Sequence, residues 1–500
     1  MTGEFTSSSN WERLLHTFTV QKQAFLRNPF PTYDQRRHKL QALRRQLKRY
    51  QDVLALAIAN DFGWRAPAES KLVDVMAPVF EISHALHGLR KWMRPSRRST
   101  ELLFLTNSIC VTYQPKGVVG IVVPWNFPVY LAVGPLTAAL AAGNRVLIKM
   151  SELTPFTCQA LKQLLGDVFP ESEVAVVGGE LEDPAAFSSL PFDHLVFTGS
   201  TSTGRKVMRA AAENLTPVTL ELGGKSPAVV TRSYSLTDAA ARIAHGKTFN
   251  CGQVCIAPDY AFVPTESVEA FAAAVEAAFL SMYGHAESNA DYTAVVNKVH
   301  ARRLQRLLDD AHGKGARIRS CGTAGAGRQM PLHIVTGVTA DMALMKEEIF
   351  GPILPVMSYD TLDEVVSFIT GNPRPLALYC FGHEAGERER LLRQTHSGGV
   401  SINDWGWHAM NHDAPFGGIG NSGMGSYHGI EGFRELSHAK TVFKRHRFYP
   451  IGLFYPPYGT WVQKLILRFF IGEADVGVKL APVLSSSVPT TTQTGESTNA

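Results

Sequence analysis

Apolar residues near the start of the chain recur at helical steps. Leu40, Leu43, Leu47 and Tyr50 share one face, and the Ala/Leu-rich stretch from Leu54 to Ala59 favours helix, so Trp11 to Met93 reads as a helical lead-in. The pattern changes at Leu102. Leu102 to Leu105 and Ile109 to Tyr113 read as short strands, and the apolar run Gly117 to Val123 follows them. From there strand-like runs alternate with helical stretches: Val118 to Val123, helix Ala132 to Ala142, Val146 to Lys149, helix Phe156 to Leu165, Val174 to Val177, His194 to Thr198 and helix Thr203 to Glu213. Such alternation predicts a mainly parallel sheet with crossover helices, the architecture of nucleotide-binding domains. A second series begins after Glu221, with strands at Ala228 to Val230, Tyr260 to Val263, Ile353 to Val356 and Leu376 to Phe381 and helices at Leu236 to Phe249 and Val268 to Met282. The expected fold class is α/β: a Rossmann-like cofactor-binding domain, a second α/β catalytic domain and a small β extension.

Length and composition agree with that organisation. A chain of 500 residues with 45% hydrophobic and 19% charged residues has enough surface to bury in more than one lobe. Basic and acidic residues, 49 and 44, are interspersed, which speaks against a nucleic-acid partner. The six cysteines show no disulfide-framework spacing and suggest a reducing compartment. No basic segment followed by an apolar stretch opens the chain, so the expectation is cytoplasmic. Ser485 to Ala500 is Ser/Thr/Gln-rich and reads as a disordered tail. Before it, residues 448–471 are rich in aromatic and aliphatic side chains with Lys464 and Arg468 between them, a pattern suited to a membrane-surface helix or to packing on protein.

Candidate chemistry lies at the ends of the strand-like runs. Pro124, Trp125, Asn126, Phe127 and Pro128 place an amide between two rigid residues. Lys149 and Glu152 put a cation and a carboxylate three residues apart, and Gly199, Ser200 and Gly204 form a strand-to-helix turn whose free N–H groups can face a pyrophosphate. Glu221 precedes Gly223 and Gly224, Glu348 and Phe350 precede Gly351 and Pro352, and Cys255 follows Cys251 by four residues. Alone, each is weak: a buried cysteine is more often structural than reactive, and the turn is GxxxxG rather than GxGxxG.

In this order, the segments resemble the aldehyde dehydrogenase superfamily over Leu40 to Arg447. They are most like its class 3 branch, with coniferyl-type bacterial features in residues 214–227, 374–379, 396–400 and 415–429. The resemblance implies that Cys255 is a nucleophile, Asn126 an oxyanion donor and Glu221 the base that activates water on a thioester. An unperturbed thiol is only about 3% ionised at pH 7, so the site must activate it. The resemblance also assigns Pro124, Trp125, Lys149, Glu152, Gly199, Ser200, Gly204, Glu348 and Phe350 to a nicotinamide cofactor. NAD is favoured by Glu152 near the ribose 2′-hydroxyl, and NADP is allowed by Lys149. Asn403 and Trp405, with Trp407, are the substrate-tunnel candidates, for a coniferyl-type or fatty aldehyde.

The implied organisation is residues 1–99 as helices of the cofactor domain, 100–116 as bridging strands, 117–222 as the cofactor domain, 223–415 as the catalytic domain, 416–472 as a return to the cofactor domain with oligomerisation elements, and 473–500 as a tail. A homodimer is expected. No metal is expected, and His194, His245, His408 and His412 read as structural or surface residues. A thiol esterase and a catalytically silent binding homologue are the competing classes. Strict cofactor dependence of aldehyde oxidation is the observation that would discriminate the first, and Cys255, Glu221 and Asn126 together argue against the second.

Overall fold

A computed structural model describes residues 5–101, 104–179, 184–284, 286–323, 328–446, 451–473, 475 and 477–478. Two compact units emerge: residues 1–96 with 110–442, and residues 97–109 with 443–500.

The larger unit contains both large sheets. One has six strands, ordered Gly423–Met424, Val218–Leu222, His194–Gly199, Val118–Val122, Arg145–Lys149 and Val174–Val177. Its pairs are parallel except at Gly423–Met424, which runs antiparallel to Val218–Leu222 with Gly423 opposite Glu221. The other has seven strands, ordered Arg317–Ser320, His333–Thr336, Ile353–Tyr359, Tyr260–Pro264, Pro227–Val230, Ala377–Phe381 and Gly399–Ile402. It is parallel except for its first pair. The α/β expectation holds, and the strands anticipated in both series form within a residue or a few of their predicted limits.

Burial explains the helix between the first two strands. Tyr130–Ala142 is buried along its whole length, so its sequence is apolar on all sides, and Gly143 ends it at φ +95°. The helical lead-in divides into Phe5–Arg27, Tyr33–Arg49, Gln51–Phe62, Pro67–Ser70 and Ala77–Trp92. Thr32 and Gln35 cap the second of these reciprocally, and Gly63 at φ +73° stops the third. One π-helical turn, Lys71–Met76, places Asp74 inside the protein.

The strand expected at Leu102 to Leu105 is not formed where it is described. Phe104 accepts from Asn107 and donates to Glu101 in successive turns, bonds that consume the backbone groups a ladder would need. Ile109 to Tyr113 does lie in a strand, Ser108–Pro115, which joins Ser96–Arg98 and Ser437–Lys444 in a third sheet. Within the smaller unit, Phe104 packs edge-on against Phe443, and the aromatic-rich segment forms the helix Trp461–Ile471, capped by Thr460 and Gln463. Trp461, Phe469 and Ile471 are about three-quarters exposed. No described helix is long and apolar enough to cross a membrane. The tail from Ser485 to Ala500 lies outside the described residues.

Candidate active site

A cavity of ≈ 470 Å³ opens at the carboxyl ends of the six-stranded sheet and is lined by nine of the residues singled out from sequence: Pro124, Trp125, Asn126, Gly199, Ser200, Glu221, Cys255, Glu348 and Phe350. A ligand site outside the carboxyl ends of parallel strands follows the rule for open α/β sheets.

Cys255 sits in a turn after a loop that the local sequence holds in an unusual backbone. Asn250 (φ +47°) and Cys251 (φ +54°) are consecutive left-handed residues, followed by Gly252 at φ +71°. Left-handed backbone disfavours residues other than glycine and persists where surrounding bonds over-determine it. Here the Asn250 amide donates to the backbone carbonyls of Asn126 (3.1 Å) and Gln253 (3.2 Å). Gln253 in turn donates to Asn250 and Ala294 and accepts from the Val296 N–H. A side chain at Gly252 would collide with the Gly351 carbonyl at 2.5 Å. The loop is pinned from three directions.

Asn126 is buried, and its amide donates to the Gln253 carbonyl at 3.1 Å. An amide nitrogen carries two donors, so one remains available to a reacting oxygen. The Asn126 backbone carbonyl accepts from Arg65, a fully buried guanidinium that also pairs with Glu69 at 3.2 Å and Asp74 at 3.1 Å and lies over the Phe127 ring at 4.8 Å. Asp74 accepts from the N–H groups of Val129 and Tyr130, fixing the start of the buried helix.

Cys255 is a partly exposed free thiol. Burial of the sulfur, reinforced by the carboxylates of Glu348 and Glu221, pushes it up to about 12, while N–H groups of Cys255 and Ile256 pull the other way. Glu221 is buried on Val218–Leu222 and neither of its carboxyl oxygens has a hydrogen-bond partner, so burial drives its pKa well above the usual carboxylate range. Glu348 is pushed up to about 8, again by burial. A Cβ at Gly223 would lie 2.1 Å from the Glu348 carboxylate, so a side chain there would displace Glu348. Phe350 holds φ +49° and presents its ring edge-on to Trp125 at 5.3 Å.

The remaining predicted residues divide. Lys149 and Glu152 pair at 2.7 Å beyond the cavity lining, at the end of the neighbouring strand. Ser200 caps the helix Thr201–Ala212 by accepting from the Thr203 N–H, but Gly204 is buried against Leu222, where a Cβ would meet its side chain at 2.7 Å. Gly204 thus brings helix and strand together. Asn403 and Trp405 do not line the cavity: the Asn403 side chain accepts from the Gly382 N–H, and Trp405 donates to His245 and packs on Phe249. Trp407 is exposed.

Sequence reasoning missed Arg65, Asp74, Asn250 and Gln253, which position the loop, and Arg303, which donates to the Glu348 carbonyl at 3.1 Å. Only Asn250 and Gln253 carried a sequence cue, as amides flanking the paired cysteines. Cys251 is fully buried beside the Tyr292 hydroxyl.

A thiol, an amide donor and an orphaned carboxyl thus face one cavity beside a helix N-terminus in an α/β protein. The chain belongs to the aldehyde dehydrogenase family, whose model matches residues 22–442. A probable coniferyl aldehyde dehydrogenase of Pseudomonas aeruginosa is 50% identical over 454 residues, covering 91% of this chain and 95% of the relative. The substrate-bound state of Staphylococcus aureus AldH superposes with a TM-score of 0.87 at 34% identity, covering 91% of this chain and 99% of that one. A Mycobacterium tuberculosis aldehyde dehydrogenase complexed with NAD+ does so with 0.79 at 27% identity, covering 86% and 89%.

Proposed function

We propose that the protein oxidises an aromatic aldehyde of the coniferyl type, or a fatty aldehyde, to the carboxylic acid with NAD(P). The observation that carries this is the convergence of Cys255, Asn126 and Glu221 on one cavity. The relative from P. aeruginosa supports the aromatic choice.

Residues 117–222 would hold the cofactor and residues 223–415 the nucleophile. The donors fit a dinucleotide. The helix start at Ser200 offers free N–H groups to a pyrophosphate, the Lys149–Glu152 pair suits a ribose with NAD ahead of NADP, and Glu348 and Phe350 flank the thiol end. The M. tuberculosis relative, solved with NAD+, supports the same choice. A bound nicotinamide supplies a hydride acceptor.

This chain's residues do the rest. The Cys255 thiol gives its proton to solvent water in the cavity as its sulfur bonds to the aldehyde carbon, and the oxyanion formed is held by the free Asn126 N–H and the Cys255 backbone N–H. Loss of hydride leaves a thioester on Cys255. Glu221 takes a proton from the water that cleaves it, a role its raised proton affinity suits. We further propose a homodimer, with the segment from 102 to 113 in the interface, and contact of residues 448–471 with a membrane surface or with protein.

A panel of aryl and aliphatic aldehydes assayed with NAD+ and NADP+ tests the reading. Oxidation should require a dinucleotide and Cys255. Ester hydrolysis without any aldehyde oxidation would assign the protein to the thiol hydrolases instead.

A further inference from the structure

A second polar cluster lies outside the cavity lining. Glu81, on helix Ala77–Trp92, His412, after the short turn Trp407–Met410, and His428, at the start of helix Gly429–Glu435, each direct one ligand-type atom into a common space, with those atoms all within 4.8 Å of one another. All three are at least nine-tenths buried. Glu81 Oε2, both ring nitrogens of His412 and Nδ1 of His428 have no hydrogen-bond partner. Leaving a buried polar group without a partner is costly, so several in one place call for a missing partner.

We propose that Glu81, His412 and His428 form a binding site for a divalent transition-metal ion of the zinc class, with one carboxylate oxygen and two imidazole nitrogens as ligands.

The donor chemistry suits such an ion. Two imidazoles and a carboxylate are a recurrent three-ligand set for zinc, which leaves a fourth position for water. At bond lengths of about 2.0–2.1 Å, tetrahedral ligand atoms stand roughly 3.3 Å apart, so closing from 4.8 Å needs side-chain rotation rather than backbone movement. The second ring nitrogen of His428 faces the Tyr130 hydroxyl at 3.4 Å, the outer-shell arrangement that orients a ligating imidazole. Phe416 stacks on the His428 ring at 5.3 Å and limits its rotation.

Two glycines make the space. A Cβ at Gly134 would stand 3.1 Å from Glu81 Oε2, and at Gly429 (φ +54°) it would stand 2.5 Å from the His412 carbonyl. His84, beside His412, pairs with Asp413 at 3.4 Å.

The test uses the full chain carrying Cys255→Ala, which removes the cavity thiol as a competing metal ligand. After chelator treatment, titration with cobalt(II) should give one equivalent per chain with a visible ligand-field spectrum, and zinc should displace it and raise Tm. Glu81→Gln and His412→Asn should each weaken cobalt binding by more than about 100-fold, and Tyr130→Phe by about 10-fold. Circular dichroism and Tm without metal report folding; should His412→Asn fail to fold, the near-isosteric Glu81→Gln decides. No stoichiometric uptake, or uptake unchanged in Glu81→Gln, overturns the proposal.

Discussion

The loop that carries Cys255 and the turn that starts at Gly199 face the same cavity yet are built by opposite means. The turn is regular: a strand ends, Ser200 caps a helix, and Gly204 lets the two elements approach. The loop is irregular, with two non-glycine residues in left-handed backbone, held by amides that reach residues far away in sequence, among them Ala294 and Val296. A turn that binds by backbone N–H groups needs only local chemistry. In the proposed mechanism Cys255 must meet one carbon atom, which needs orientation from several directions, and the residues that hold its loop are scattered along the chain.

Variants that separate the two regions rank by how directly they touch reacting atoms. Cys255→Ala should abolish aldehyde oxidation, by about 10³-fold or more, with Tm retained; oxidation that survives removes this residue from the mechanism. Glu221→Gln should stop after one turnover, with a burst of reduced cofactor equal to the active sites and a covalent acyl adduct detectable by intact mass. The same variant sharpens a stability statement. Because the folded-state pKa of Glu221 is raised above its ordinary 4.5, its contribution is fully present below about 4.5 and is lost as pH rises through the folded value. Glu221→Gln should therefore gain Tm over the parent at pH 9 and not at pH 4.

Asn126→Ala should lower kcat by about 10²–10³-fold with a smaller change in KM. Arg65→Met strands Asp74 and Glu69 in the interior and should cost about 3–5 kcal/mol in denaturant titration, with kcat falling in whatever protein remains folded. Ser200→Ala removes a cap only, and about 1 kcal/mol of stability with little change in kcat is expected. A larger catalytic loss from Ser200→Ala than from Arg65→Met would reverse the contrast between turn and loop.

The contrast also explains what could be read from the sequence. Strand and helix alternation was legible because periodicity and burial are local properties, and the cavity-lining motifs were legible because each is a contiguous segment ending a strand. Arg65 was not: nothing in Trp64-Arg65-Ala66 distinguishes a solvated arginine from one buried against Asp74 and Phe127. Trp405 lies outside the cavity lining and bonds to His245, a partner no local pattern specified. Glu81 lies 331 residues before His412, and His428 follows 16 residues later, so no spacing rule could group the three. The Leu102 to Leu105 expectation failed because an apolar run of four residues is compatible with turns as well as with strands.

The high proton affinity of Cys255 sets how the resting protein withstands damage. Burial and the neighbouring carboxylates favour the protonated thiol, whereas peroxides and alkylating agents react with the ionised form. The burial that delays attack on a substrate therefore preserves the sulfur between encounters, so an unliganded stock should lose its titratable Cys255 far more slowly than free cysteine does under the same oxidant.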